Sequence, residues 1–499
     1  MLYLGMKKSY RPWDTDRTYL LPPSTRDWLP EGHLASFILD VVEELDVGAI
    51  EDPIQAKDHR GERAYEPRMM VALLLYGYST GVFSSRKLAQ ATWTDLGARV
   101  LAAEAHPHFT TINQFRLDHH KALSALFLQV LKLCQKAGLV DLGHVAVDGT
   151  KIQANASKHK AMSHTRMLES ERRLEGEVAA LMAEAEAVNK REDTAFGDGD
   201  GSTIPDELKR RETRLIRIRE ARQALEEEAK EARRLELRFQ AKKARESMKK
   251  AENTTDFLKA ERRAMARDAA VQKLGPENPT AIPGAKDELP FHKVPHDKTG
   301  APKGTAQRNF TDSDSRIMGR RGAFQQAYNG QIAVAEKNQI IVAQLLTNQP
   351  PDAEHLVPIL EQVRESLDAF PTKLTADAGY WNESNGSFCE DAAIDAYIST
   401  RRRRHREHQG DQEPARPPPI ASRTKAGLAM EAKVTSEEGR VIYAKRKWVV
   451  EPVFGQLKEC RGVRRFKLRT LPKVRSEFSL HCTGHNLLKL WRSTTTAEE

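Results

Sequence analysis

Residues 144–160, HVAVDGTKIQANASKHK, are the part of the chain from which the rest can be interpreted. The first four residues are largely apolar and predict a short strand in the middle of a covered sheet. That strand would present Asp148 at its C-terminal end, where Gly149 and Thr150 suit a tight backbone. An acidic side chain at this edge faces the crevice in which ligands bind in open α/β sheets. An Asp-Gly hairpin turn is the alternative.

Two further acidic residues occupy comparable positions later in the chain. The segment 371–385, PTKLTADAGYWNESN, predicts a short strand that ends in Asp377. The segment 436–465 predicts a helix that carries Glu451, and Pro452 either kinks that helix or starts a new first turn. Three carboxylates on separate elements are what two-metal phosphoryl transfer requires, because they converge to hold two cations. Magnesium needs one or two carboxylates with waters and substrate phosphate, so three acids suffice.

Composition narrows the class of protein. The 499 residues predict two to four domains, and the net charge of +9 with a pI of about 9.2 favours a polyanionic partner. The four cysteines are far apart and form no CxxC pair, which argues against a zinc ribbon or a disulfide framework. The N-terminus lacks a signal-peptide core, and no apolar run reaches the roughly 20 residues of a membrane span. We therefore predict a reduced, cytoplasmic, soluble protein.

The first 140 residues predict a helical domain. Residues 67–81 and 84–95 read as two helices, and 106–140 as a longer amphipathic helix with Asn113, Gln114 and Arg116 near its start. A late helix that presents such side chains at its start resembles helix-turn-helix DNA readers. A bundle used for packing or dimerisation is the alternative.

The middle of the chain differs in composition. Residues 161–275 are rich in Ala, Glu, Lys and Arg, and two runs with heptad spacing predict an antiparallel helical hairpin around a turn at 194–205. The exposed charges indicate either a solvated face or an arm that follows DNA. Residues 276–304 predict a linker. Arg401 to Arg404 open a basic, then proline-rich loop that either touches DNA or is simply flexible.

Several motifs together resemble the bacterial insertion-sequence transposases with a DDE catalytic domain. They are LLLYGYSTGVFSSRKL, HFTTINQFR, VAVDGTKIQANAS, YNGQIAV, TADAGY and RKWVVEPVFGQLK. The resemblance implies an α/β fold, namely an RNase H-like mixed sheet flanked by helices, with an all-α N-terminal domain and a helical-hairpin insertion. The implied division is 1–140 helical, 141–160 with 305–492 catalytic, 161–275 insertion and 276–304 linker.

The resemblance also implies roles for individual residues. Asp148, Asp377 and Glu451 would be the catalytic triad and the ligands of two Mg²⁺ ions, with Mn²⁺ as a substitute. Supporting roles near the site fall to Gly149, Thr150, Asn329 and Gln331. DNA contacts fall to Tyr443, Arg446, Lys447, Lys458, Asn113, Gln114 and Arg116.

One departure from the family pattern concerns the basic residue beside Glu451. In the family pattern a tyrosine is followed after two residues by an arginine, after three more by the glutamate and after six more by a lysine. Here Tyr443, Arg446, Glu451 and Lys458 match these residue types, but four residues rather than three separate Arg446 from Glu451. On a continuous helix Lys447, Glu451 and Lys458 share one face. We therefore expect Lys447 beside the metal site and Arg446 turned away from it.

The function implied is DNA transposition. The protein would bind the terminal inverted repeats of its own element as a homodimer, hydrolyse a phosphodiester and transfer the resulting 3′-hydroxyl to target double-stranded DNA. An RNase H-like nuclease without strand transfer is one alternative. A DNA-binding protein derived from an inactive transposase is another, and a coiled-coil scaffold explains residues 161–275 alone.

Overall fold

The computed structural model describes residues 10–15, 24–56, 63–196, 206–282, 289–320, 323–400 and 424–495. Its contacts divide the chain into two units, Met1–Asn155 with Ala327–Glu499, and Ala156–Gln326. The finer division suggested by composition stays a prediction. Most of the predicted turn at 194–205 and the arginines at 401–404 lie outside the described residues. Within those residues, none of the helices is both long and apolar enough to cross a membrane.

The strands form one main sheet and one small pair. The main sheet has the order β4-β5-β1-β7-β8, and β6 pairs with β5. The small pair joins β2 and β3. The strand bounds are β1 His144–Gln153, β2 Ala161–Ser163, β3 Gln307–Asn309, β4 Arg316–Arg320, β5 Ala323–Ala335, β6 Ile341–Thr347, β7 Lys373–Ala376 and β8 Asp395–Ile398.

Strand β1 is longer than the sequence suggested. It pairs antiparallel with β5 from Val145 to Gln153, but parallel with β7 only as far as Val147. Asp148 therefore lies in the middle of β1, and the prediction that the strand ends there was wrong. The alternation continues through buried Thr150 and Ile152, because β5 supplies a partner along the whole length. This pairing also excludes a hairpin turn at Asp148.

The N-terminal region is helical, as predicted. The single helix expected over 106–140 is two helices, because His119 leaves helical geometry with φ −106° and ψ 19°. The helices before β1 are α1 Leu34–Glu44, α2 Gly48–Gln55, α3 Pro67–Thr80, α4 Ser85–Thr94, α5 Leu96–Leu101, α6 Phe109–Asp118 and α7 His120–Lys136.

The C-terminal helix connects the N-terminal helices to the sheet. The helices after the second unit are α11 Leu356–Leu367, α12 Glu383–Asp391, α13 Lys425–Thr435, α14 Glu437–Val449, α15 Glu451–Gly455 and α16 Leu471–Thr495. Helix α16 packs against α3, α7 and β6. Its buried Glu477 accepts backbone N–H groups from Lys467 and Leu468 at 2.8–3.0 Å. Such bonds compensate a carboxylate for the water that it loses on burial.

The second unit is built on long helices, α8 His164–Phe196, α9 Asp206–Lys249 and α10 Thr254–Gln272. Glu171 pairs with Arg222 at 2.8 Å and Glu177 with Arg211 at 3.5 Å, so α8 and α9 run antiparallel, as predicted. Arg222, which interrupts the heptad seam in sequence, thus joins the two helices.

Phe239, which continues the heptad spacing of the second helical run in the sequence, is 68% exposed and lies outside the apolar seam. Val294, from the stretch expected to be a linker, belongs to the apolar core of the unit with Met167, Leu174, Leu215, Ile218 and Leu225. Glu228 is fully buried in the same unit, where Arg308 at 3.0 Å and Arg316 neutralise it. The stretch before β3 therefore packs onto the helices.

Gly484→Ala tests the contact between α16 and α3. A Cβ atom at Gly484 would lie 2.9–3.0 Å from backbone atoms of Tyr78 and Ser79, which cannot rotate away. We expect the free energy of unfolding to fall by about 1–3 kcal/mol, measured by urea titration. Gly455→Ala is the matched control, since its Cβ would meet open space. Equal losses in the two variants would contradict the close approach.

Buried histidines predict that the first unit loses stability in mild acid. Burial lowers the pKa of His485 to about 3 and that of His355 to about 4, whereas an unfolded histidine titrates near 6.5. Below about pH 6.5 the unfolded state binds more protons, so the free energy of unfolding falls as the pH falls. We expect these two histidines together to lower the free energy of unfolding by on the order of 5 kcal/mol between about pH 7 and pH 4.5.

The measurement is urea unfolding across this pH range. His485 accepts from Arg461 at 3.2 Å and bonds to the carbonyl of Gln339 at 2.9 Å. His485→Gln removes its titration and should flatten the pH dependence. An unchanged slope in this variant would exclude His485 as a source.

Candidate active site

Two aspartates lie side by side in the main sheet. Val147 of β1 pairs with Ala376 of β7 in parallel register, so the next residues, Asp148 and Asp377, follow on neighbouring strands. Neighbouring strands are about 4.8 Å apart. Strand β7 ends at Ala376, which opens the sheet beside Asp148. The structure thus brings together two of the three predicted acids.

The environment of Asp148 combines burial with a cationic partner. Burial raises the pKa of Asp148 to about 6, although Arg446 opposes the shift, and the Asp377 carboxylate adds to it. Arg446 donates from Nη1 to Oδ2 of Asp148 at 2.8 Å, and the Gly149 N–H donates to Oδ1 at 2.8 Å. Both oxygens of Asp148 are therefore hydrogen-bonded.

The expected roles of Arg446 and Lys447 are reversed. Arg446 reaches the site with a side chain that is 15% exposed, whereas Lys447 is on the exposed surface of α14. Arg446 shares the inner face of α14 with buried Ile442 and Val449, which lie four residues before it and three after it. The helix is also not continuous, since α14 ends at Val449, so the argument from one shared face fails.

Glu451 does not join the two aspartates. It is exposed at the start of α15, and Pro452 occupies the first turn, which confirms the predicted new start. Among the described residues no group of three or more His, Cys, Asp or Glu side chains is placed to hold a metal ion. Convergence of all three carboxylates is therefore not observed in this structure.

Lys458 contacts β1 on the same face as Arg446, because Asp148 and Thr150 are two residues apart on the strand. It lies in a π-helical turn, Gln456–Cys460, and donates to the hydroxyl of Thr150, two residues beyond Asp148. Burial lowers the pKa of Lys458, while Asp148 favours its charged form. Two cations from the same C-terminal segment, Arg446 and Lys458, thus face the strand of Asp148.

A buried amide network supports the two aspartates. The Asp352 carboxylate accepts from Lys151 at 2.9 Å and from Asn329 and Gln331 at 2.8 Å each. Tyr380, three residues after Asp377, donates to the side chain of Gln331. Asn329 and Gln331 lie on β5, in the interior of the sheet.

Sequence reasoning missed three members of this network. They are Asp352, Lys151 and Tyr380, none of which the sequence analysis placed near the site. Burial opposes ionisation of Asp352, but Lys151 and the two amides lower its pKa below the ordinary value. Two amides at alternate positions of an apolar strand were a usable signal, because buried amides require partners.

Of the remaining DNA-contact candidates, Arg116 is wrongly assigned. It is 3% exposed and donates to the hydroxyl of Tyr78 at 3.1 Å, the carbonyl of Phe83 at 2.9 Å and the hydroxyl of Ser85 at 2.8 Å. These bonds fasten α6 to α3 and α4. Asn113 is half-buried and Gln114 exposed.

Tyr443 is a packing residue rather than a surface contact. It packs against the apolar cluster formed by Tyr397, Val434 and Ile442. This cluster attaches α13 and α14 to β8.

Gly149→Ala tests the fit between β1 and the amide network. A Cβ atom at Gly149 would lie within 2.9 Å of the side-chain amide carbon of Gln331, which is fully buried. We expect a loss of about 1–3 kcal/mol in the free energy of unfolding. Gln331→Ala in the same chain removes the clash, so the double variant should be more stable than the sum of the single losses predicts. Additive losses would contradict the contact.

Two family models match the chain. The family described as "Transposase DDE domain" matches residues 291–487, and a second family, described as "Transposase domain", matches residues 23–118. The first range contains Asp377 and Glu451, whereas Asp148 lies between the two ranges. No curated protein and no solved structure matches the chain.

These matches agree with the fold and with the predicted class. A DDE domain implies the RNase H-like arrangement, consistent with a mixed sheet flanked by helices. Transposase domains have DNA as their partner, and DDE enzymes generally use divalent metal ions. Both ranges confirm the resemblance drawn from the sequence motifs. The chain belongs to the insertion-sequence DDE transposases.

Proposed function

We propose that this transposase binds the terminal inverted repeats of its own element and catalyses magnesium-dependent cleavage and strand transfer. The observation that carries the proposal is the pair of adjacent aspartates, Asp148 and Asp377, faced by Arg446 and Lys458. Joining two element ends requires two active sites, so we propose that the protein acts as a homodimer on DNA. Tyr443 supports the position of Arg446 in this scheme.

The donor set fits a divalent cation. Asp148 and Asp377 offer hard carboxylate oxygens on neighbouring strands, which suit Mg²⁺ or Mn²⁺. The raised pKa of Asp148 indicates a poorly solvated charge that a cation would stabilise. When bound, two such ions would activate the attacking hydroxyl and stabilise the leaving oxygen. We propose Glu451, on the helix that follows Arg446, as the third ligand.

The surrounding residues have separate tasks. Arg446 holds Asp148 in one orientation and favours its ionised form. Lys458 places a positive charge beside Thr150, where it would stabilise the negative charge on a phosphate. Gly149 allows Gln331 to lie against β1. Through Asn329 and Gln331 the buried amide network keeps the two aspartates in register.

Asp377→Asn tests the catalytic assignment. It removes one charge and keeps the shape, and we expect cleavage to fall by more than about a hundredfold, since even outer-shell partners of metal ligands contribute roughly 10–100-fold. The measurement is Mg²⁺-dependent cleavage and strand transfer with a duplex that carries the end of the element and its flank. Asp391→Asn, at the exposed end of α12, is the matched control.

Three outcomes distinguish the candidate functions. Cleavage with strand transfer in the parent protein, lost in Asp377→Asn, supports transposition. Cleavage without strand transfer would favour the nuclease. Binding without cleavage in both proteins would favour an inactive DNA-binding protein.

Arg446→Ala and Lys447→Ala form a matched pair that tests which cation acts at the site. Arg446 binds Asp148, whereas Lys447 is exposed. We expect Arg446→Ala to reduce cleavage by on the order of a hundredfold. The reduction caused by Lys447→Ala should be at least about ten times smaller. A larger effect of Lys447→Ala would overturn the assignment drawn from this geometry.

A further inference from the structure

Four exposed cations lie in the segment between the π-helical turn Gln456–Cys460 and α16. Between Arg461 and α16 the chain alternates, with Val463, Phe466 and Leu468 buried and the cations outward. We name the four exposed cations the basic strip: Arg464, Arg465, Lys467 and Arg469. Burial of the apolar residues leaves the four cations exposed to solvent.

The basic strip is held beside the end of β1. The Gln153 N–H donates to the carbonyl of Arg464 at 3.2 Å, and the Phe466 N–H donates to the carbonyl of Gln153 at 2.9 Å. Strand β1 also carries Asp148, so the basic strip is hydrogen-bonded to the same strand as that aspartate.

Asn155, just beyond β1, organises the strip further. Its side-chain amide donates to the carbonyl of Lys467 at 2.7 Å and accepts from Arg465 at 3.1 Å. Its backbone carbonyl accepts from Arg469 at 3.1 Å. A single asparagine therefore sets the spacing of three of the four cations.

One cation of the strip, Lys467, lines a groove of about 430 Å³ in the N-terminal helices. The start of α4 and part of α6 line it as well, with Arg86, Asn113 and Gln114. Arg86 is stacked over the ring of Phe109, 4.9 Å from its centre. Side-chain amides can read base edges, and arginines and lysines contact phosphates. The groove therefore combines both kinds of contact.

We propose that the DNA next to the cleaved bond lies along Lys458 and the basic strip, and that Asn113 and Gln114 read bases in the groove. This inference rests on the proposed function, because it takes Asp148 as the site of cleavage. Gln153 lies five positions beyond Asp148 on β1, which corresponds to about 17 Å of strand. At roughly 3.4 Å per base pair, base reading starts about 5–10 base pairs from the cut.

Two acidic side chains, Glu459 and Asp118, bond to residues of the proposed DNA path and would be displaced from them when DNA binds. Glu459 pairs with Arg464, and Asp118 accepts from Gln114 at 2.7 Å. Both pairs are exposed, so solvent already screens them and separating them costs little free energy. Phosphate and base edges would replace the two carboxylates.

The first experiment measures the salt dependence of DNA binding. The triple variant Arg464→Gln, Arg465→Gln, Arg469→Gln is titrated with a 40-base-pair duplex of random sequence at several salt concentrations. Each lost phosphate contact lowers the salt slope by about 0.9, so we expect a decrease of about 2–3 and binding at least about tenfold weaker near 0.1 M salt. Binding equal to that of the parent protein would overturn the proposal.

The matched control removes three exposed cations at the other end of β1. It is Lys132→Gln, Lys136→Gln, Lys337→Gln, with the same change in net charge. The salt slope of this control should equal that of the parent protein. An equal decrease in both triple variants would show a non-specific effect of net charge and would overturn the proposal that DNA lies along the basic strip. Arg464→Gln alone leaves the bonds of Asn155 intact and should lower the slope by about 1. This single variant tests the proposed DNA contact of the basic strip if the triple variant does not fold.

The second experiment tests base reading. Duplexes with 20 randomised base pairs beside a fixed end are selected by the parent protein, Asn113→Ala and Gln114→Ala. We expect the variants to relax the base preference by roughly tenfold at positions about 5–10 base pairs from the end. Unchanged preferences in both variants would overturn the role of the groove.

The outcomes separate this inference from the proposed function. If the triple variant binds like the parent protein while Asp377→Asn abolishes cleavage, the DNA path is wrong and the catalytic proposal stands. If the basic strip and groove behave as expected but the parent protein does not cut DNA, the catalytic proposal fails and the binding surface stands.

Discussion

The register between β1 and its two neighbours determines where the functional side chains of the first unit lie. Antiparallel pairing with β5 runs the length of β1, while parallel pairing with β7 stops at Val147. The shorter partner leaves Asp148 beside an opening in the sheet and places Asp377 next to it. Because a shift of one residue would turn each side chain to the other face, this register cannot slip without losing the site.

Charge compensation is the second constraint on the site. Two carboxylates on neighbouring strands repel each other, and burial adds to the cost of keeping them ionised. Arg446 and Lys458 reduce that cost from one side. On the other side Lys151 balances Asp352, whose amide partners connect β5 to the loop after β7. The arrangement concentrates perturbed carboxylates at one end of the β1–β7 pairing, which is typical of catalytic sites.

Helix α16 explains why the N-terminal helices and the sheet form one unit. It packs against α3, α7 and β6, and its Glu477 holds the backbone at Lys467. The basic strip is thereby fixed at Lys467, whose backbone N–H donates to Glu477 and whose carbonyl accepts from Asn155. The proposed DNA surface and the two aspartates can then keep a constant separation, which a flexible connection between them would not allow.

The sequence by itself determined the class of fold, the helical N-terminal region, the antiparallel hairpin and the association of Asp148 and Asp377 with one strand each, while their adjacency comes from the register between β1 and β7. These follow from local hydrophobic periodicity and from motifs, which depend on neighbouring residues. Only the tertiary structure decided that β1 continues to Gln153, that Arg446 rather than Lys447 reaches Asp148, and that Arg116 is buried. It also decided that Asp352 is the centre of a polar network. Each of these depends on a partner distant in the chain, and no local pattern encodes which partner a strand, a helix face or a buried charge will meet.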